Sequence, residues 1–444
     1  NSRDSIERVY FIREQINSKF FIAGRFISYL HSKKDGIKTD MSEHNKNICP
    51  HFGICGGCEF QDIPYEKQLK KKTEDLSQLF KNLISLPISV CPSPEIWHYR
   101  NKIDPVFSPE YFENPPPPGT KRKTVLGFKR HRKWYDTFPL EDCFIGPSGL
   151  PDLLSAIHPW LKENNYEAYD RRTGGGVLHA LLLRQAKRTG ERMLGILTRQ
   201  LDLNWNSLIN LLEQHFPCKN LYAGLYTRTA EVSQAEEWHL IHGKPYIYEK
   251  VSIHSDNTKF ERTYQISPAS FFQTNTLSAE NMFTQIYHWV SEIQPPHIYD
   301  LYSGMGTISL ILSNLTEKIY SVECIPAAIE DGKNNALLNQ ITNVQFYNST
   351  VRKFLSEKIN ESNNLLPPNT LAIADPPREG LTTGVLKKLI QWLPNHIIYV
   401  SCNTKSLVSE LPFLLEYYTC QDWKAYDFFP HTHHVETLLW LTKK

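Results

Sequence analysis

Ile298-Tyr299-Asp300-Leu301-Tyr302-Ser303-Gly304-Met305-Gly306-Thr307 reads as an apolar β-run, a glycine turn and the start of a helix. Glycines let the backbone pass close to a ligand, and the helix that follows offers unpaired N–H groups. The next β-run ends in Ser321-Val322-Glu323, which sets a carboxylate at a second strand tip, where it can accept both ribose hydroxyls of a nucleoside. A GxG alone is equally compatible with a plain tight turn. A dinucleotide site asks for GxGxxG, but the residue three past Gly306 is Ser309, so S-adenosylmethionine fits better than NAD.

Outward from this turn the grammar is alternating. β-runs at 297–302, 318–322, 344–347, 370–374, 396–400 and 435–442 are separated by helical patterns at 308–315, 326–339 and 383–392. That alternation predicts a doubly wound, Rossmann-like α/β sheet over residues 266–444. Upstream, residues 97–265 are dominated by short β-like runs, with helical breaks near 151–163 and 205–215, and predict a β-rich α+β domain. The run Pro115-Pro116-Pro117-Pro118-Gly119 marks a loop. Residues 65–86 read as one amphipathic helix, with Leu69, Leu76, Leu79, Phe80 and Leu83 on the apolar side and Lys70-Lys71-Lys72 on the wet side. The expected division is an N-terminal extension (1–48), a central domain (49–265) and a catalytic domain (266–444). Acids at Asp4, Glu7 and Glu14 argue against an organellar transit peptide in the extension.

Bulk properties exclude several classes. The 444 residues are 41% hydrophobic and 22% charged, as in a globular protein with two or three domains. A net charge of +2 leaves any basic surface to be local. No apolar run approaches the length of a membrane span. Nine cysteines with CxxC spacing and no secretory signal predict a reducing cytoplasm, with metal-binding or catalytic thiols in place of disulfides.

The chemistry converges on Cys402. His396-Ile397-Ile398-Tyr399-Val400-Ser401-Cys402-Asn403 is a β-run that ends in a thiol, at the sheet edge where α/β enzymes bind ligands. An arbitrary cysteine is more often a small buried hydrophobe; this one has company. Asp375-Pro376-Pro377 follows another apolar run, and its prolines hold a carboxylate towards the pocket. Amino-group methylases follow a similar motif with an aromatic; here Arg378 follows, which counts against exocyclic amine chemistry. Glu436, flanked by His434 and the apolar Leu438-Leu439-Trp440-Leu441, reads as a carboxylate at a strand start. Thiolate addition at C6 of a pyrimidine makes C5 electron-rich enough to capture a methyl group, and a positioned base must then remove the C5 proton. Cys402 and Glu436 are the expected nucleophile and base.

A second cysteine group is separate. Cys49, Cys55 and Cys58 fall within ten residues, and Cys143 can complete a set of four. On ligand type alone, tetrahedral zinc and a [4Fe–4S] cluster suit them equally. The CxxxCxxC spacing of radical enzymes is absent.

Taken together these pieces resemble the RNA uracil-5-methyltransferases, in particular the iron–sulfur branch that modifies 23S rRNA. The resemblance is carried by the four cysteines, Tyr99-Arg100-Asn101-Lys102, Gly127-Phe128, Phe271-Phe272-Gln273-Thr274-Asn275, Asp300-Leu301-Tyr302, Asp375-Pro376-Pro377-Arg378, Ser401-Cys402-Asn403 and Phe429-Pro430-His431-Thr432-His433-His434-Val435-Glu436. It implies a [4Fe–4S] cluster rather than zinc, Cys402 as nucleophile and Glu436 as proton acceptor. It also implies donor contacts from Gln273, Tyr302, Glu323 and Asp375. Thr307 and Thr350 stand where related enzymes often carry Asn. Residues 1–48 are too short and wrongly patterned for the N-terminal β-barrel (TRAM) domain of larger members.

RNA is the expected partner, 23S rRNA first and tRNA second, met by a monomer. Lys121-Arg122-Lys123 and Lys129-Arg130-His131-Arg132-Lys133-Trp134-Tyr135 interleave cations with aromatics, as single-stranded RNA binders do. A solvated hairpin is the alternative for such a run taken alone; beside a base-modifying site RNA contact is the expectation. Phe271 or Phe272 is a candidate to stack on an extruded target base, with core packing as the alternative. Arg171-Arg172-Thr173-Gly174-Gly175-Gly176 reads as a loop between strands, since no P-loop lysine follows. A rival reading is an RNA cytosine-C5 methyltransferase, whose usual thiol setting is not seen. Another is a catalytically inactive RNA-binding or ribosome-assembly module, against which the presence of both Cys402 and Glu436 argues.

Overall fold

Strand β1 is two residues long, Val90–Cys91, and takes its place beside Ala425 and Tyr426 near the far end of the chain. The structure is a computed structural model, and it describes residues 48–114, 116–117, 120–228, 234–255, 258–362 and 366–444. The expected N-terminal extension therefore lies, up to residue 47, outside the described residues. Ile48–Lys444 forms one compact unit.

Within that unit a first sheet is built from β2 (Lys102–Ile103), β3 (Val106–Pro109), β4 (Thr124–Arg130), β5 (Lys133–Pro139), β6 (Leu178–Gln185), β7 (Arg192–Thr198), β8 (Asn220–Leu225) and β9 (Glu237–His242). The order is β5-β4-β3-β6-β7-β8-β9, with β2 beside β6, and the β7–β8 pair is parallel. The helix Trp205–His215 makes that crossover, capped by the Asn204 side chain accepting from the Ser207 N–H. It packs with the helix Leu150–Glu163, whose Trp160 is fully buried, over one face of the sheet.

A hairpin, β10 (Ile247–Ser255) and β11 (Thr258–Ile266), leads into the second sheet. This contains β12 (His297–Leu301), β13 (Lys318–Glu323), β14 (Val344–Asn348), β15 (Leu371–Ala374), β16 (His396–Ser401), β17 (Tyr418–Tyr426) and β18 (Glu436–Lys443), in the order β1-β17-β18-β16-β15-β12-β13-β14. Strands β12 to β16 are mutually parallel and β18 runs antiparallel to β16. Parallel strands are buried on both faces, which is why Leu371-Ala372-Ile373-Ala374 is apolar without alternation. Ile298, Ile373 and Ile398 face a core shared with the helices Thr276–Ile293 and Thr307–Leu312. Tyr299, Ala372 and Tyr399 face another, shared with Val351–Ser362, Thr383–Trp392 and Thr404–Leu415. The chain winds from β12 out to β14, then returns to the other side of β12 as β15. That reversal opens a crevice at the carboxyl ends of β12 and β15.

Two sequence expectations are corrected. The helix over 65–86 ends at Phe80, and Leu86 is exposed. Lys72 is not on the wet side: it is 3% exposed, and its Nζ donates at 2.7 Å to Asp427, which is fully buried. Leu76, Phe80 and Val90, in the segment expected to belong to the central domain, pack into the core of the second sheet. The hairpin 247–266 packs likewise, with Val251, Ile253 and Tyr264 against Met282, Phe283 and Ile286. In each case a partner distant in sequence decides the packing.

Burial pushes the Lys72 ammonium down and the Asp427 carboxyl up, each opposed by the charge of the other. Removing one member strands the other. Lys72→Met is therefore expected to destabilise the protein by about 3–5 kcal/mol at neutral pH. The loss should shrink as pH falls and Asp427 takes up a proton. Urea unfolding at two pH values checks both statements.

Candidate active site

The glycine turn after β12 is shaped by backbone conformation. Tyr302, Gly304 and Gly306 have φ of 64°, 56° and 75°. At Gly306 an added Cβ would lie 2.9 Å from the Phe346 ring, so the position excludes side chains for both reasons. Asp300 holds the turn from behind: its Oδ2 accepts from Ser309 N–H (3.1 Å) and Ser309 Oγ–H (2.6 Å). Its other oxygen, like Ser303 Oγ, is buried with no protein partner. Burial raises Asp300 to about 7, and the Glu323 charge adds to the shift.

Glu323 ends β13 beneath the same turn. Its Oε2 accepts from Gly304 N–H at 3.1 Å, and its Oε1 from Cys324 N–H (2.7 Å) and Ile325 N–H (2.9 Å) at the head of the helix Pro326–Leu338. Three backbone donors thus fix the carboxylate at the strand tip. Thr307 opens the helix Thr307–Leu312, and its carbonyl accepts from the Tyr264 hydroxyl at 3.1 Å. Thr350 is exposed beyond β14, and its hydroxyl accepts from Lys353 N–H at 3.4 Å.

Asp375 follows β15 and is joined to the end of β12 by its N–H, which donates to Leu301 O at 3.4 Å. Tyr302 and Asp375 therefore stand side by side at the crevice. Gln273 is held through its backbone: Asn101 Nδ2 donates to its carbonyl at 2.8 Å, and Asn101 N–H donates to Thr274 O at 2.8 Å. Asn275 caps the helix Thr276–Ile293 and donates to Phe428 O at 3.0 Å. Of the two aromatics proposed for stacking, Phe272 is in the core and Phe271 is 65% exposed.

Cys402 and Glu436 face each other across two strands. In the antiparallel β16–β18 ladder Ser401 pairs with Thr437, so the next positions on either side are Cys402 and Glu436. Burial is the main cause that raises the Cys402 thiol to about 11, followed by the charges of Glu436 and Asp375, with Arg378 opposing. Glu436 is buried and raised to about 8, again chiefly by burial, then by Asp375, with Arg378 opposing. Asp375 itself is raised to about 7 by burial and by Asp300. Four ionisable groups and one guanidinium thus share one site.

Sequence reading passed over two supports of this site. Asn403 caps the helix Thr404–Leu415 with its Oδ1 and donates from Nδ2 to Arg378 O at 2.9 Å, tying the Asp-Pro-Pro-Arg loop to the cysteine strand. Its place beside Cys402 was the available signal. Glu410, buried, accepts from the Tyr399 hydroxyl at 2.6 Å, and its other oxygen lies where a side chain on Gly380 (φ 77°) would have to be. A glutamate inside an amphipathic helix gives no sequence signal of that role.

The second cysteine group also gathers. Cys49, Cys55, Cys58 and Cys143 line one cavity of about 300 Å³ with Arg100 and Phe128. Burial, with smaller repulsion from neighbouring thiols, raises Cys58 to about 12 and Cys143 to about 11. Among the described residues no three His, Cys, Asp or Glu side chains stand close enough to hold a metal ion. The segment is stitched to the loop ahead of Glu436: Glu59 N–H and Phe60 N–H donate to His431 O at 2.8 and 3.0 Å.

Residues 189–444, more than half of the chain, match the family model described as tRNA (uracil-5-)-methyltransferase. An uncharacterized RNA methyltransferase of Caldanaerobacter subterraneus subsp. tengcongensis is 32% identical over 407 residues, which span 89% of this chain and 84% of that protein. One of Thermotoga maritima is 30% identical over 427 residues, 95% of this chain and 89% of its own length. Among solved structures, the Pyrococcus abyssi tRNA (uracil-54, C5)-methyltransferase in complex with S-adenosyl-L-homocysteine aligns with a TM-score of 0.66 and 25% identity, covering 88% of this chain and 86% of that one. The chain belongs to the RNA uracil-5-methyltransferase family and is an RNA methyltransferase.

Proposed function

We propose that this enzyme transfers a methyl group from S-adenosylmethionine to C5 of a uridine in RNA, through a covalent bond between Cys402 and C6. The observation that carries the reading is that Cys402 and Glu436 each stand one position beyond the Ser401–Thr437 pair of β16 and β18, with the Glu436 charge acting on the Cys402 thiol. Bound S-adenosylmethionine supplies an electrophilic methyl carbon. The Cys402 thiol loses its proton to solvent and Sγ adds to C6, which makes C5 the nucleophile; C5 takes the methyl group as its bond to the donor sulfur breaks, and S-adenosylhomocysteine leaves. Glu436 then accepts the C5 proton, the C5–C6 double bond re-forms and Sγ departs.

Tyr302, Asp375, Glu323 and Gln273 are the proposed donor-binding residues, with Thr307 and Thr350 beside them. The orphaned oxygens of Asp300 and Ser303 around the glycine turn support a polar ligand there. Cys49, Cys55, Cys58 and Cys143 are proposed to hold a [4Fe–4S] cluster. Support comes from their shared cavity, the nearby Arg100 guanidinium and desolvated thiols whose burden iron ligation would relieve. No step of the reaction passes through it.

The proposed substrate is 23S rRNA, in a cytoplasmic setting. A tRNA substrate is the second reading, favoured by the tRNA enzyme among the structural relatives. Incubating the protein and methyl donor separately with 23S rRNA and tRNA transcripts, then mapping 5-methyluridine by mass spectrometry, tests both. Methylation at a position other than C5 of uridine would refute the reading.

The raised carboxyl and thiol fix a pH dependence. A base must be unprotonated to act, and Glu436 is so only above about 8; thiolate becomes abundant higher still. Methyl transfer under limiting RNA is therefore expected to climb between pH 7 and 9. Initial rates with labelled donor check the sign; a falling profile contradicts it.

A further inference from the structure

The β4–β5 hairpin and the loop before β6 enclose a cleft of about 870 Å³ that plays no part in the chemistry described above. Its size is at the upper end of the range for ligand clefts, about 300–1,000 Å³. Three of its rings are exposed, Tyr111, Trp134 and Tyr135, with Trp134 at 70%. They contact one another, Tyr111 to Tyr135 at 5.3 Å and Trp134 to Tyr135 at 5.7 Å between centroids. Strand alternation would turn every second residue inward, yet Lys133, Trp134 and Tyr135 are exposed in succession. A register shift between Lys129 and Arg130 marks a bulge at that end of the hairpin, a device that re-aims side chains.

The cations around these rings are Arg122, Lys129, Arg171 and Arg172. The acids in the lining are Asp104, Glu113 and Asp170. Asp170 is engaged by Arg172 at 3.2 Å, and Asp104 faces Lys102 at 3.9 Å. Cations outnumber acids in the lining, and the rings are exposed. We propose that this cleft is a second RNA-binding site, which stacks unpaired nucleotides outside the pocket that receives the reacting base. The inference rests on the reading of the substrate as RNA and adds that the bound region is single-stranded. A duplex hides its base faces, so aromatic platforms favour loops and single strands, while arginines track phosphates. The hairpin is also tied towards the catalytic loop: His131 N–H donates to Ile54 O at 2.8 Å, in the cysteine segment that bonds to His431.

The test uses the full chain and a labelled single-stranded octamer of A and C, which offers the catalytic pocket no uridine. By fluorescence anisotropy the wild type should bind it more tightly than the matching duplex. W134A/Y135A should weaken binding at least tenfold, as loss of base stacking does. W134F/Y135F keeps the rings and should stay within about threefold of wild type, with an unchanged melting temperature for both variants. R171A/R172A should flatten the dependence of log affinity on log salt by roughly 0.7 for each phosphate no longer neutralised. Equal binding by wild type and W134A/Y135A, or equal binding of octamer and duplex, would overturn the inference. Wild-type formation of 5-methyluridine, measured in parallel, tests the catalytic reading by itself. If that fails while the octamer results hold, the cleft binds RNA and the assigned chemistry is wrong.

Discussion

Cys402→Ala is expected to reduce methyl transfer by on the order of 10⁴-fold or more, the scale on which loss of a covalent nucleophile is felt. Affinity for RNA should stay within about twofold. The two readouts separate because Cys402 supplies one atom to the reaction and little to the surface that binds RNA. The thiol is only partly buried, at the end of β16, so an alanine there leaves a small hollow at the rim of the crevice and not in the core. The strand itself is held by Ser401–Thr437 pairing and by the Asn403 cap, neither of which uses the sulfur. Cys402→Ser is a sharper variant, because a hydroxyl preserves polarity and size but is a far weaker nucleophile. Radiolabelled methyl incorporation and filter binding on the same preparations decide the matter. Substantial turnover in either variant would remove the covalent route, and a matching loss of RNA binding would make Cys402 a structural residue.

Much of this site could be read from sequence because its chemistry sits at strand ends. Asp375 and Cys402 each follow an apolar run that could hardly be anything but a buried parallel strand, and Glu436 precedes another. Local patterning therefore places the proposed nucleophile and base at strand ends, and the motifs around them suggest their roles. Strand β17 escapes such patterning for the opposite reason. Its sequence Tyr418-Thr419-Cys420-Gln421-Asp422-Trp423-Lys424-Ala425-Tyr426 is interrupted by Thr419, Gln421, Asp422 and Lys424, and it becomes a strand by pairing with β18 on one side and two residues of β1 on the other. Lys72 is misread because a helical wheel cannot see Asp427, 355 residues away. Glu410 is invisible in the same way, since its partners are a tyrosine on β16 and a loop that only the fold brings near. Periodicity reports which face is apolar; it does not report which charge has found a partner inside.

Glu436→Gln should have a different signature from the cysteine variants. The amide cannot accept the C5 proton, so the methylated adduct has no route to re-form the ring double bond, and RNA should remain bonded to Sγ of Cys402. Turnover is expected to fall by on the order of 10²–10⁴-fold, the contribution of a positioned base. A protein–RNA species of raised mass should survive denaturing electrophoresis in the presence of methyl donor. The electrostatics make the first step easier in this variant. Above about pH 8, where Glu436 is ionised, its charge is the largest cause after burial that raises the Cys402 thiol, so removing it there favours the attacking thiolate. Adduct formation by Glu436→Gln should persist at lower pH than turnover by the wild type, because the adduct needs no base that must lose a proton near 8. The double variant with Cys402→Ala should give no adduct at any pH. If Glu436→Gln alone gave none while RNA still bound, the proton would have to leave by another route, and the carboxyl to examine is Asp375, which perturbs both Cys402 and Glu436.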